Sequence, residues 1–202
     1  MKLVGSRTSP YVRKVRVMLA EKGIAYDFVE ESAWNATTTV PRYNPLNKVP
    51  ALVLDDGDSI YDSAVITGYL DGLPGPRFLP AEDAQHAKAR RDEALGDGIA
   101  DAGITLFLER KRDAAQQDPT WIQRQADKVN SGIAALERLL GSRPFLGGDR
   151  LSVGDFACAA ALLWIEFRLA KDFPWRERYP SLKAWIGRLE DRPSFVETRP
   201  PA

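Results

Sequence analysis

Eight residues divide this chain. The segment Leu73-Pro74-Gly75-Pro76-Arg77-Phe78-Leu79-Pro80 holds three prolines and a glycine. No helix runs through it, because a proline offers no amide proton and its ring collides with the preceding turn. The hydrophobic pattern differs on its two sides. Before it, short apolar runs of strand length alternate with helical spacing. After it, nearly every apolar residue recurs at helical spacing. The chain therefore reads as an α/β domain over residues 1–73, a linker over 74–84 and an all-helical domain over 85–202.

In the first part a strand is expected at 2–5 and a helix over 11–22, with Val12, Val15, Met18 and Leu19 on one face and Gly23 closing it. A second strand follows at 26–30, and 32–46 is irregular. Residues 51–54 and 59–61 form a hairpin around Asp55-Asp56-Gly57-Asp58. A last helix follows Asp62, with Ile66, Leu70 and Leu73 at i, i+4, i+7. The order is βαβ–ββα: a right-handed parallel unit followed by an antiparallel pair.

The second part is a series of amphipathic helices. Leu95, Ile99, Ala102 and Leu106 share one face, Val129, Ile133, Leu136 and Leu140 another, and Leu182, Trp185, Ile186 and Leu189 a third. Within it, Leu151-Ser152-Val153-Gly154-Asp155-Phe156 has the form of a capping box. Ser152 caps a helix and Asp155 reaches back to its amide, while Leu151 and Phe156 form a hydrophobic staple. The helix so opened is the most apolar of the chain, and Ser152 and Asp155 are structural residues at its start. The tail 198–202 reads as loose.

Scarcity excludes several functions. One cysteine, Cys158, allows neither an internal disulfide nor a CxxC site, and suits a reducing compartment. One histidine, His86, lies in a polar run, which leaves no Ser-His-Asp triad and no multi-histidine metal centre. Lys+Arg and Asp+Glu balance at 28 each, so no global field draws the chain to nucleic acid or to an anionic membrane. The longest apolar run, 156–165, is about half a membrane span. A cytoplasmic protein without a metal is expected.

Three motifs carry chemistry. Ser9-Pro10-Tyr11-Val12 joins the first strand to the first helix, with Pro10 in the first turn and Ser9 at the N-cap. Free amides and the positive end of the helix dipole favour a thiolate there. The segment has the form of the redox motif Cys-Pro-Tyr-Cys with both sulfurs gone. It cannot exchange disulfides itself, but it can hold another molecule's thiolate. Second, Lys48-Val49-Pro50 precedes a strand, and Pro50 forces Val49 into extended geometry that can pair with a peptide main chain. Third, Asp62-Ser63 opens a helix, with a hydroxyl and amides for a carboxylate and an acid for an ammonium group. Each motif alone is equally an ordinary cap or loop end. Their joint occurrence in this order points to a zwitterionic peptide thiol, glutathione.

On these residues the chain resembles the glutathione S-transferase family along its whole length. The resemblance rests on Ser9-Pro10-Tyr11 with Arg13 and Lys14, Asn44-Pro45-Leu46 with Lys48-Val49-Pro50, Asp62-Ser63, and Ser152-Val153-Gly154-Asp155. Met1 to Ser6 and Asp97 to Gly103 are similar to the bacterial YibF-like branch. The resemblance implies an N-terminal thioredoxin-like domain followed by a C-terminal helical bundle, assembled as a homodimer. It implies that Ser9 donates to the glutathione sulfur, that Val49 pairs its backbone with the cysteinyl residue beside a cis Pro50, and that Asp62 and Ser63 hold the γ-glutamyl end. Lys48 meets the glycyl carboxylate, and Tyr11 and Asn35 approach the ligand. A second substrate is implied between the domains, bounded by Arg7, Tyr11, Asp101, Thr105, Leu108, Trp164 and Arg168.

The activity implied is that of a serine-type glutathione transferase, activating the thiolate for conjugation to a small electrophile or for reduction of an organic hydroperoxide. A glutathione-dependent isomerase or dehalogenase differs only in the second pocket. The alternative is a non-catalytic binding or interaction protein on the same scaffold. Some relatives carry cysteine at the position of Ser9 and act as thiol transferases. This chain does not, so little thiol-transferase activity is expected.

Overall fold

The computed structural model describes residues 1–201 and divides them into two units. The first is Met1–Ala81 together with the stretch from Glu190 onward; the second is Glu82–Leu189. In the first unit, β1 (Lys2–Gly5), β2 (Asp27–Glu30), β3 (Ala51–Val53) and β4 (Ser59–Ile60) form one sheet in the order β2-β1-β3-β4. The β1–β2 pair is parallel, with Leu3 opposite Phe28 and Val4 opposite Val29. β3 runs antiparallel to β1, with Val4 opposite Ala51, and β4 antiparallel to β3, with Leu52 opposite Ile60.

Both Leu3 and Val4 are fully buried although their side chains point to opposite faces, so β1 is covered on both sides. α1 (Pro10–Lys22) buries Val12, Val15, Met18 and Leu19, and Gly23 caps it in the left-handed conformation. The first turn of α1 lies hard against the end of β1: a Cβ at Gly5 would sit 2.5 Å from Val12 Cγ2. α2 (Ser63–Gly72) buries Ile66 and Leu70, whereas Leu73 is its half-buried C-cap.

The linker is not a free tether. Asp71 Oδ1, buried on α2, accepts from the Phe78 amide at 2.6 Å and from the Leu79 amide at 3.1 Å. Lys22 Nζ donates to the Leu73 and Pro76 carbonyls at 3.1 and 2.8 Å. Glu82, Asp83 and Ala84 of the expected linker belong elsewhere, as the N-cap and first two residues of α3.

The C-terminal end departs from the expectation that residues 85–202 form one helical domain. From Glu190 onward the chain packs in the first unit, through α8 (Pro193–Glu197). Arg13 donates to the Phe195 carbonyl at 3.2 Å, and Arg16 to the Glu197 carbonyl at 3.1 Å. Arg192 forms a two-pronged pair with Glu21 at 2.7 Å for each bond, and Ser194 donates to the same carboxylate. Thr198, expected in a loose tail, is buried with its hydroxyl on the Ser194 carbonyl. Burial lowers the Arg13 pKa to about 10, with Glu190 opposing it and Arg199 and Arg16 adding to it.

Burial works to raise the Glu21 pKa, but hydrogen bonds from Arg192 and Ser194 outweigh it and hold the carboxyl below its usual range. A depressed acid stabilises the fold fully above its unfolded pKa, and that contribution is lost as pH falls through the folded value. Glu21→Gln is therefore expected to lower the urea midpoint at neutral pH and to narrow the gap to wild type in acid.

The second unit contains α3 (Asp83–Glu109), α4 (Pro119–Leu140), α5 (Val153–Leu169), α6 (Trp175–Arg178) and α7 (Pro180–Glu190), the last ending at the boundary between units. Val129, Ile133, Leu136 and Leu140 form the buried stripe of α4, and Leu182, Trp185, Ile186 and Leu189 that of α7. Nearly the whole of α5 is buried. It packs on α3 at backbone contact: a Cβ at Gly96 would lie 2.5 Å from both the Ala157 carbonyl carbon and the Cys158 nitrogen. Backbone cannot yield as a side chain does. Gly96→Ala is expected to destabilise the protein by about 2 kcal/mol or more, against the propensity gain of about 1 kcal/mol that alanine brings to a helix interior. Urea unfolding measures it.

Candidate functional site

The strand directions gather four segments at one place. β1, β2 and β4 run the same way and β3 runs against them. The C-terminal ends of β1, β2 and β4 therefore lie beside the N-terminal end of β3. The segments attached there are 6–9, 31–39, 44–50 and 61–63. All three sequence motifs of the first part fall within them.

Ser9 is the N-cap of α1, in extended conformation, with Pro10 at the first helical position. Its Oγ accepts from the Val12 amide at 3.4 Å, a long bond that leaves the hydroxyl loosely committed. The first turn of α1 has no acidic residue to cancel the positive helix end.

Val49 lies just before β3, and the Val49–Pro50 bond is cis. The β1–β3 pairing stops at Ala51, so the backbone of Val49 lies beyond the sheet ladder. Two asparagines shape this loop, and the sequence gives neither of them a role. Buried Asn44 donates from Nδ2 to the Lys48 carbonyl at 2.9 Å and accepts from the Leu46 amide at 3.0 Å. Asn47, at φ 50, donates to the Ala33 carbonyl at 3.2 Å and ties this loop to the one after β2. Asparagine is the residue besides glycine that most readily takes that conformation, which is the one signal available in the sequence.

At the start of α2, Asp62 is the N-cap, as expected of a helix that follows it. Asp62 Oδ1 accepts from the Ala64 amide at 3.0 Å and from the Val65 amide at 3.4 Å. Ser63 follows as the first helical residue and is buried. Free amides are expected here beside the Ser63 hydroxyl. Asp62 takes two of them, those of Ala64 and Val65, and the Ser63 amide and hydroxyl follow an exposed carboxylate.

The remaining residues are less gathered. Lys48 is exposed on the same loop as Val49, and Asn35 is exposed in the segment after β2. That segment is braced by Glu31, whose carboxyl is held below its usual range chiefly by the Thr39 hydroxyl at 2.6 Å. Tyr11 is half-buried on the first turn of α1. Arg7 is engaged elsewhere in its unit: Nε donates to Glu30 Oε2 at 2.8 Å and the guanidinium lies over the Phe28 ring. In the second unit, Asp101, Thr105 and Leu108 follow one another at helical spacing on α3, as do Trp164 and Arg168 on α5. Trp164 is nearly buried, and Asp101 and Arg168 are exposed.

Comparison with known proteins decides what this arrangement belongs to. Residues 8–73 match the glutathione S-transferase N-terminal domain and residues 119–188 the glutathione S-transferase C-terminal domain. The chain is 39% identical over 202 residues to the uncharacterized GST-like protein YibF of Escherichia coli K12, covering all of this chain and 99% of that one. The chain belongs to the glutathione S-transferase family.

Solved structures agree with this assignment. A glutathione S-transferase of Methylobacterium radiotolerans, in complex with glutathione sulfonate, superposes with a TM-score of 0.95 at 42% identity, over 100% of this chain and 95% of that one. One from Methylobacillus flagellatus, with glutathione bound, gives 0.95 at 37% identity, over 99% of both. The chain has no accessible thiol of its own: Cys158 is fully buried on α5, and burial, with Asp92 and Asp155 nearby, pushes its pKa well up. Among the described residues no cluster of His, Cys, Asp or Glu is arranged to hold a metal ion, and no helix is long and apolar enough to cross a membrane.

Proposed function

We propose that this protein binds glutathione along the end of its first-unit sheet and presents the sulfur as a thiolate to a small electrophile or an organic hydroperoxide. The observation that carries the reading is the meeting of three complementary elements at one sheet end: the Ser9 cap, the free edge at Val49 and the Asp62–Ser63 helix start. Relatives crystallised with glutathione or its sulfonate support it.

The chemistry follows from the parts. The Ser63 amide and hydroxyl accept the γ-glutamyl carboxylate, and the Asp62 carboxylate takes the ammonium group. The Val49 backbone pairs with the cysteinyl residue, which sets the sulfur against the Ser9 hydroxyl. Lys48 offers its charge to the glycyl carboxylate, with Tyr11 and Asn35 at the margins. The thiolate is favoured by a hydrogen bond and a helix dipole, with no general base.

The test is a calorimetric titration with reduced glutathione of the wild type and of Ser63→Ala. A hydrogen bond to a charged group is worth about 1.5–3 kcal/mol, so the variant is expected to bind roughly ten- to hundredfold more weakly. Equal affinity overturns the placement of the ligand. No binding by the wild type at millimolar glutathione overturns the function, and points to an interaction module on the inherited fold.

A further inference from the structure

Near the C-terminal ends of α3 and α5, three aromatic rings and two cations form one cluster within the second unit. Phe107 meets Trp164 edge-on, with ring centroids 5.9 Å apart and planes at 85°. The Arg168 guanidinium stacks 4.0 Å from the centroid of Phe167 and lies 5.8 Å from that of Phe107. The Lys111 ammonium lies 4.5 Å from the same Phe107 ring.

Three neighbouring cations are neutralised. Arg110 pairs with Asp172 at 2.8 Å, Arg112 with Glu109 at 3.0 Å and Arg176 with Glu166 at 2.6 Å. Arg168 and Lys111 are not: among the described residues neither has a carboxylate within ion-pair distance. Both are exposed, and Phe167 is 36% exposed. Arg176 also lies over a ring, that of Trp175, but its charge is met by Glu166; Arg168 and Lys111 lie over rings with no acid among the described residues to meet theirs.

A guanidinium stacked on a ring is held in one plane with its N–H edges outward. Its face is already desolvated, so little freedom is lost when a planar oxyanion docks on the edge. A lysine point charge beyond the same ring adds attraction without fixing geometry. The exposed parts of Phe107 and Phe167 offer apolar contact to a flat body attached to that anion.

We propose that the α3–α5 surface around Arg168 and Lys111 binds an aromatic carboxylate. Arg168 is the bidentate partner of the carboxylate, Lys111 a second charge, and the phenyl rings the platform for the aromatic body. Binding itself is independent of glutathione. That the ligand is the second substrate rests on the proposed function.

The test uses two probes that share the nitrophenyl body and differ by a carboxylate, 4-nitrobenzoate and nitrobenzene, titrated into the full-length protein by calorimetry without glutathione. The nitrobenzoate is expected to bind saturably and at least roughly tenfold more tightly than nitrobenzene, the worth of one charge-assisted hydrogen bond. Arg168→Gln is expected to erase that preference and leave nitrobenzene unchanged. Arg168→Lys restores only part of it, since it keeps the charge and loses the fork. Equal binding of the two probes, no binding of either, or a preference that survives Arg168→Gln overturns the proposal. The wild-type glutathione titration is read separately. A protein that binds glutathione but shows no preference for nitrobenzoate overturns this inference and leaves the proposed function standing.

Discussion

Asp155→Ala is expected to destabilise this protein by about 3–5 kcal/mol, a large part of the stability of an ordinary domain. The Asp155 carboxylate is fully buried and accepts four hydrogen bonds. Oδ1 takes the Leu146 amide at 2.8 Å and Trp185 Nε1 at 3.1 Å, and Oδ2 takes the Ser152 amide at 2.8 Å and its hydroxyl at 2.9 Å. Burial raises its pKa, with those four donors pulling the other way. The group thus joins the start of α5 to the loop before it and to the middle of α7. Alanine leaves three fixed N–H donors buried without an acceptor, each costing about 1–3 kcal/mol. Thermal melting is expected to show a fall on the order of 10 °C. Asp155→Asn is expected to recover little, because its amide sets a donor against donors. A melting temperature within two degrees of wild type in the alanine variant refutes the account.

Ser9→Ala is expected to lower turnover with a small electrophile by roughly a hundredfold or more, the usual cost of removing a donor aimed at a developing or resident anion. Glutathione affinity is expected to change much less, because Val49, Asp62 and Ser63 hold the rest of the tripeptide. The pKa of the bound thiol, read from thiolate absorbance against pH, should rise, each unit corresponding to about 1.4 kcal/mol. Loss of the N-cap also costs about 1 kcal/mol of stability, so a melt accompanies the kinetics. Turnover within twofold of wild type, with the thiol pKa unmoved, removes Ser9 from the mechanism.

The helices were readable because their signals are local. The stripes of α1, α4 and α7 follow from spacing, and every one of those residues is buried. Caps are local as well: Ser9 before Pro10, and Ser152 with Asp155, are legible three residues at a time. Strand ends were less so. β2, β3 and β4 each fall one residue short of the expected run, because the residues at 26, 54 and 61 have no ladder partner. At the site the three motifs were visible, and so was the start of α2 after Asp62. That the Asp62 side chain takes the Ala64 and Val65 amides was not, because it depends on a side-chain and backbone conformation that residue type does not dictate.

What the sequence by itself determined is the two-part architecture, the faces of the helices, the absence of a redox thiol pair and the residue types at three loop ends. What only the tertiary structure decided is which distant parts complete one another. Asn47 reaches Ala33, and Asn44 shapes the approach to Val49, because the strand directions bring those loops to one sheet end. The chain from Glu190 joins the first unit because Arg13 and Arg16 are buried on α1 and need carbonyl acceptors, which α8 and the residue after it supply more than 180 positions away. Periodicity reports which side of an element avoids water. It carries no information on which partner removes that water, and a buried charge can be satisfied only by whatever the fold brings to it.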